Sequence, residues 1–121
     1  MNHEQKIKET IQTYVDGYLN AEKKLVASAF FHETRLYSVD GGKIDKTEMS
    51  DWLKNIDERK ARGDIRKGKL EIGLIDITDD TAVAKIFLQF EKRVFTDYLS
   101  LLQVNGNWMI VGKIYSVKEF G

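Results

Sequence analysis

Apolar residues change their spacing along this chain, helical before the basic stretch 58–69 and alternating after it. Ile7, Ile11, Tyr14, Val15 and Tyr18 fall at intervals of four, three, one and three, which predicts a helix over residues 3–19 with one inward stripe. Asn20 is placed to cap a second, shorter helix whose inner face would be Leu25, Val26, Ala29 and Phe30, ending near Phe31 and His32. Residues 34–39, "TRLYSV", alternate like a short strand, and Asp40-Gly41-Gly42 breaks it. Asp45 with Glu48 has the spacing of a capping box for a third helix, with Met49, Trp52, Leu53 and Ile56 facing inward.

From residue 69 onward the period is 2, and turn signals at 78–80 and 105–107 divide the segment into strands over 69–78, 81–91, 95–104 and 107–117. Asn105-Gly106 is a strong type I′ hairpin signal, and counting back from it pairs Gln103 with Trp108, Leu101 with Ile110, Leu99 with Gly112 and Asp97 with Ile114. Continued through a Lys92-Arg93 turn, the count aligns Phe95, Asp97, Leu99 and Leu101 with Ile75, Ile77, Ala82, Ala84, Ile86, Leu88 and Phe90 on one apolar face. Asp97 is then a single acid among aliphatic neighbours. It must gain donors, hold its proton, or meet water in a cavity.

The opposite face would carry Leu74, Val83, Lys85, Phe87, Tyr98, Leu102, Met109, Val111, Lys113 and Tyr115. That is too apolar to be left in water, and three short helices cover only one side of such a sheet, so a homodimer through this outer face is expected. Helices followed by a meandering antiparallel sheet make the fold class α+β, and the 121 residues suit a single domain over 1–121.

Composition narrows the function mainly by exclusion. Nineteen basic residues balance nineteen acidic ones, so no overall field draws the chain to nucleic acid or to a membrane. With no cysteine there is no disulfide or thiolate chemistry, and without a histidine pair or an Asp-rich loop no metal site or other cofactor is expected. The start of the chain lacks the apolar run of a signal peptide, which favours a cytoplasmic location. The basic residues of 59–69 could steer an anionic ligand or form a solvated loop.

The ordered pieces "YVDGYLNAE", "AFFH", the glycine turn and "DYLSLLQVNGNWMIVGKIY" resemble the NTF2-like superfamily, most closely its SnoaL-like, putative lumazine-binding branch. The resemblance covers nearly the whole chain. It implies a cone of three N-terminal helices on a curved, mainly antiparallel sheet, with an internal cavity and often a dimer across the outer face. A ketosteroid isomerase of this superfamily uses a helix-one tyrosine and a protonated strand aspartate as an oxyanion hole. Tyr14 and Asp97 occupy the matching positions, whereas Tyr37 or Ser38 stands where its general base would be and Asp40 lies in the turn beyond.

His32, between the second helix and the first strand, is a second candidate for proton exchange, or else a helix-end cap. Tyr14, Tyr18, Tyr37, Trp52 and Trp108 suit either a core or a pocket that stacks a flat heterocycle and bonds its edge. The functions that follow are a small-molecule-binding homodimer lined by Tyr14, Tyr18, His32, Tyr37, Trp52, Asp97 and Trp108; an isomerase- or dehydratase-type acid/base enzyme using Tyr14, Asp97 and His32; or a non-catalytic protein-interaction module.

Overall fold

The computed structural model of the chain describes residues 2–120. Helix α1 (His3–Leu19) begins at Asn2, whose side chain accepts from the Gln5 amide while Gln5 reaches back to the Asn2 backbone, a full capping box. Ile7, Ile11, Tyr14 and Val15 are buried along its inner stripe, as the spacing predicts. Helix α2 (Lys23–Ala29) starts after Glu22, which makes no side-chain cap. Asn20 instead ends α1, its side-chain amide donating to the Asp16 carbonyl. Val26, Ala29 and Phe30 are buried, whereas Leu25 lies on the outer side of α2.

Strand β1 (Arg35–Asp40) turns back through Gly41 and Gly42, both at positive φ, into β2 (Lys43–Glu48). This hairpin corrects the expectation of a capping box: Asp45 and Glu48 belong to a strand, and α3 (Met49–Ala61) starts after it without a side-chain cap. Two adjacent glycines supply the two left-handed positions of a type I′ turn, and that local chemistry outweighs the weak helix-start signal. The remaining strands are β3 (Gly68–Thr78), β4 (Thr81–Phe90), β5 (Arg93–Val104) and β6 (Asn107–Glu119). They form one six-stranded mixed sheet in the order β2-β1-β6-β5-β4-β3, antiparallel except where β1 runs parallel to β6. The three helices pack against it, giving the α+β architecture that the sequence pattern implies. No helix among the described residues is long and apolar enough to cross a membrane.

Register decides which side chains face the helices. Asn105-Gly106 forms the turn it signals, pairing Val104 with Asn107, Gln103 with Trp108 and Leu101 with Ile110. The β4–β5 turn uses Glu91 and Lys92 rather than Lys92 and Arg93, a two-residue shift that leaves every side chain on its expected face. Between Leu101 and Ser100, however, β6 contains a bulge: Ser100 pairs with Gly112, so one residue of β6 has no opposite number. Beyond it, β6 is displaced by one residue against β5. Leu99 lies opposite Lys113 and Asp97 opposite Tyr115, so Lys113 and Tyr115 face inward instead of joining the outer face. A second bulge in β3 at Gly73 keeps Ile72 and Ile75 both on the inner side.

Tight helix packing depends on Gly17. A Cβ placed there would lie 2.8 Å from both the Leu25 Cβ and the Val26 backbone nitrogen, so α2 would have to move away. At Gly112 the nearest atom would be the Ser100 Cβ at 3.6 Å, an ordinary contact. Gly17→Ala is therefore expected to destabilise the protein by about 1–3 kcal/mol in urea denaturation, while Gly112→Ala changes stability by less than about 1 kcal/mol. Equal effects at the two sites would contradict this packing.

Candidate functional site

Helix α1 and strands β5 and β6 bring three polar side chains together in the apolar interior. The Tyr14 hydroxyl donates to Asp97 Oδ2 at 2.7 Å and accepts from Lys113 Nζ at 2.7 Å, and Nζ lies 3.6 Å from the same Oδ2. All three residues are buried. Asp97 is thus not the isolated acid that the sequence count predicts: the β6 bulge carries a lysine to its side. Asp97 Oδ1 is buried with no hydrogen-bond partner among the described residues.

Burial pushes the Tyr14 hydroxyl well above its ordinary range, and the neighbouring Asp97 adds to the effect, so the phenol keeps its proton. Burial lowers the Lys113 ammonium, with Asp97 pulling partly the other way. The cation lies 4.7 Å from the Trp52 ring centre and 4.9 Å from those of Tyr14 and Tyr115. Three aromatic rings therefore supply the attraction that lost water would have given.

A recess of about 80 Å³ opens beside this group, walled by Tyr14, Tyr18, Trp52, Phe95, Tyr115 and Lys113, with Leu36, Thr47 and Leu88 completing it. Asp97 lies behind Tyr14 and Lys113 and does not itself line the recess. Larger concavities of about 560 Å³ and 580 Å³ lie beside Trp108 and on the outer sheet face; the second also borders Lys113, but neither is lined by Tyr14 or Asp97. Convergent polar atoms in an apolar wall are the stronger mark of a site than volume. Among the described residues, no cluster of three or more His, Cys, Asp or Glu could hold a metal ion.

Of the residues singled out from the sequence, Tyr14, Tyr18, Trp52 and Asp97 come together here. Tyr14 and Trp52 pack edge to face at 5.8 Å, and Tyr18 lies 6.3 Å from Trp52. The other three lie elsewhere. His32 is in an exposed turn, its side chain 83 % accessible and 3.8 Å from Glu33, because α2 ends before it and β1 starts beyond it. Tyr37 is on the outer sheet face, since its neighbour Leu36 takes the inward position. Trp108 is buried near the start of α1, where its indole donates to His3 Nδ1 at 3.2 Å.

Two arginines of the basic stretch were not foreseen as structural. Arg59 is buried and donates to the Tyr18 and Leu19 carbonyls, satisfying acceptors that the end of α1 leaves open. Arg66 donates from its side chain to the Tyr18 hydroxyl at 2.7 Å and from its backbone to the Leu19 carbonyl. Asp64 draws both guanidinium groups together, its nearest contacts being 3.5 Å to Arg59 and 3.2 Å to Arg66. The stretch therefore fixes Tyr18 at the edge of the recess. Nothing in its composition distinguishes these two arginines from their solvated neighbours.

A family model described as putative lumazine-binding matches residues 2–116. An NTF2-like protein of unknown function from Shewanella baltica is 26% identical, with 99% of each chain covered and a TM-score of 0.83. Another, from Silicibacter pomeroyi, is 17% identical over 96% of each chain with a TM-score of 0.84, a likeness of fold. Among curated proteins, the aldolase FrzH of a Cladobotryum species is 23% identical over 108 residues, 88% of this chain and 84% of that protein.

Asp97→Ala leaves the Lys113 ammonium buried beside a phenol alone and is expected to cost about 3–5 kcal/mol in urea denaturation, against about 1–3 kcal/mol for Tyr14→Phe. Because the folded protein holds the Lys113 proton less tightly than the unfolded chain, stability should rise with pH between the lowered value and the ordinary lysine value of about 10.4. Titrating unfolding free energy over that window should show the rise in wild type and its loss in Lys113→Met.

Proposed function

We propose that this chain, which belongs to the putative lumazine-binding family of the NTF2-like superfamily, binds a small, flat, polar-edged molecule in the recess beside Tyr14 and Lys113. The observation that supports it best is the convergence of a protonated phenol and an ammonium on a space walled by Tyr18, Trp52, Phe95 and Tyr115. Rings of this kind stack a planar heterocycle, and the N–H protons that Lys113 does not give to Tyr14 suit a carbonyl or ring-nitrogen edge. The recess is smaller than the roughly 300–1,000 Å³ usual for such ligands. Entry therefore requires the half-buried Trp52 on α3 to swing outward.

In the same proposal two copies join through the outer sheet face. Leu74, Val83, Tyr98 and Ile114 are each about half exposed there, around the 580 Å³ depression, and a second sheet would cover them. A cytoplasmic location accords with the absence of cysteine.

A second reading, as an acid/base enzyme acting on a carbonyl compound, is favoured by the Tyr14–Asp97 hydrogen bond and by the similarity to an aldolase. Lys113, which has N–H protons beyond the one given to Tyr14, would donate to the developing oxyanion, and Tyr14, its own proton held by Asp97, would keep the ammonium in place. Lys113 stands where a proton can be exchanged; His32 faces away.

Titration with lumazine is expected to quench tryptophan fluorescence saturably, and Trp52→Phe to remove most of the change. Native mass spectra should show species of twice 14.0 kDa, reduced to single chains by Val83→Lys with Tyr98→Lys. No quenching by lumazine or related bicyclic heterocycles, with no small molecule retained in the native spectrum, would overturn the binding reading. A single-chain mass for wild type would overturn the dimer.

A further inference from the structure

We infer that the recess takes an aldehyde or ketone and that Lys113 captures it covalently, through Nζ, as an iminium ion. The inference deepens the small-molecule reading above and rests on it. Asp97, the acid that the strand pattern singles out, is shielded from the recess by Tyr14 and Lys113, so the nucleophilic atom presented there is the lysine nitrogen. Nζ is held by the Tyr14 hydroxyl and by Asp97 and surrounded by the rings of Tyr14, Trp52 and Tyr115. A salt bridge serving stability alone has no need to place its cation at the wall of the one space these rings enclose. Burial also weakens the hold of Nζ on its proton, which an amine must give up before it can attack.

The groups in place balance the reaction. Lys113 passes one proton through the Tyr14 hydroxyl to Asp97, leaving a neutral amine and a carboxylic acid. The Tyr14 hydroxyl donates to Asp97 Oδ2, so the relayed proton arrives on that oxygen and can be handed back along the same hydrogen bond. The nitrogen lone pair adds to the carbonyl carbon, the C–N bond forms, and the oxygen takes a proton from Tyr14 that an N–H proton replaces, giving a carbinolamine. Its C–O bond then breaks, the hydroxyl leaves as water with the proton returned from Asp97, and the nitrogen lone pair closes the C=N bond. Ammonium and carbonyl have become iminium and water, with the carboxylate restored. One positive charge is present at the start and at the end, over the same three rings and beside the same acid. The interior that accommodates the lysine cation therefore also accommodates its product.

The test is reductive trapping. The full chain is incubated with propanal and sodium cyanoborohydride across a range of pH, and modified lysines are located by peptide mass. Lys113 should be alkylated at least tenfold faster than any surface lysine, and Lys113→Arg, which keeps the charge, should lose that fast phase while retaining the wild-type circular dichroism. Tyr14→Phe should slow the fast phase. The groups facing Nζ are Tyr14, with Tyr18 beyond it, on α1, Asp97 on β5 and Tyr115 on β6. Asp97→Asn removes the one anion among them and also the acceptor of the relayed proton, so it should move the onset of labelling to lower pH while slowing the fast phase; a merely structural role would move the onset up toward that of surface lysines. Labelling confined to surface lysines, or unchanged in rate by Lys113→Arg, would overturn the inference. Saturable lumazine binding without trapping at Lys113 leaves only the non-covalent reading, whereas trapping without lumazine binding leaves the amine chemistry and removes the heterocycle.

Discussion

The three polar side chains that meet beside the recess are organised by one shared oxygen. Asp97 Oδ2 accepts from Tyr14 and attracts Lys113, and the Tyr14 hydroxyl is at once donor to the acid and acceptor from the base. Because this hydroxyl uses both capacities, the three side chains fix one another's positions, and through them α1 is tied to β5 and β6. Ile86, opposite Asp97, and Leu99, opposite Lys113, are buried and offer no alternative partners, so breaking the arrangement is costly. The aromatic recess lies beside the lysine of this group.

A second layer of polar anchoring closes the end of α1. Arg59 and Arg66 take over the Tyr18 and Leu19 carbonyls, and Arg66 also holds the Tyr18 hydroxyl, its guanidinium 4.9 Å from the Phe90 ring centre. The loop after α3 and the recess therefore share Tyr18.

The helices, the four long strands and the inner apolar face were legible because their periods are long and uninterrupted, and because Asn105-Gly106 fixes one register unambiguously. The inward position of Asp97 followed from the same count, which the bulge does not disturb on β5 itself. Lys113 was not legible, since alternation assigns it to the outer face and only the bulge reverses that. Gly112 inside a strand was the available warning. Gly41-Gly42 similarly announced the hairpin that makes β2, but the short strand's exposed, charged composition resembled a helix start. His32 was placed by its position between helix and strand and Trp108 by the register that turns Asp97 inward, and neither argument says which end of the sheet a residue occupies; Tyr37 was placed on an inward face that Leu36 takes instead.

The β6 bulge has an evolutionary corollary. Every residue from Gly112 onward owes its orientation to the one residue by which β6 outruns β5 there; were the same chain to pair without the bulge, Leu99 would meet Gly112 and Asp97 would meet Ile114, and the interior amine would give way to an apolar neighbour with composition and topology unchanged. A lineage that lost the extra residue would straighten β6 and still keep its lysine opposite Leu99, so an inward lysine is compatible with either strand length, provided the surplus residue, where present, is bulged out.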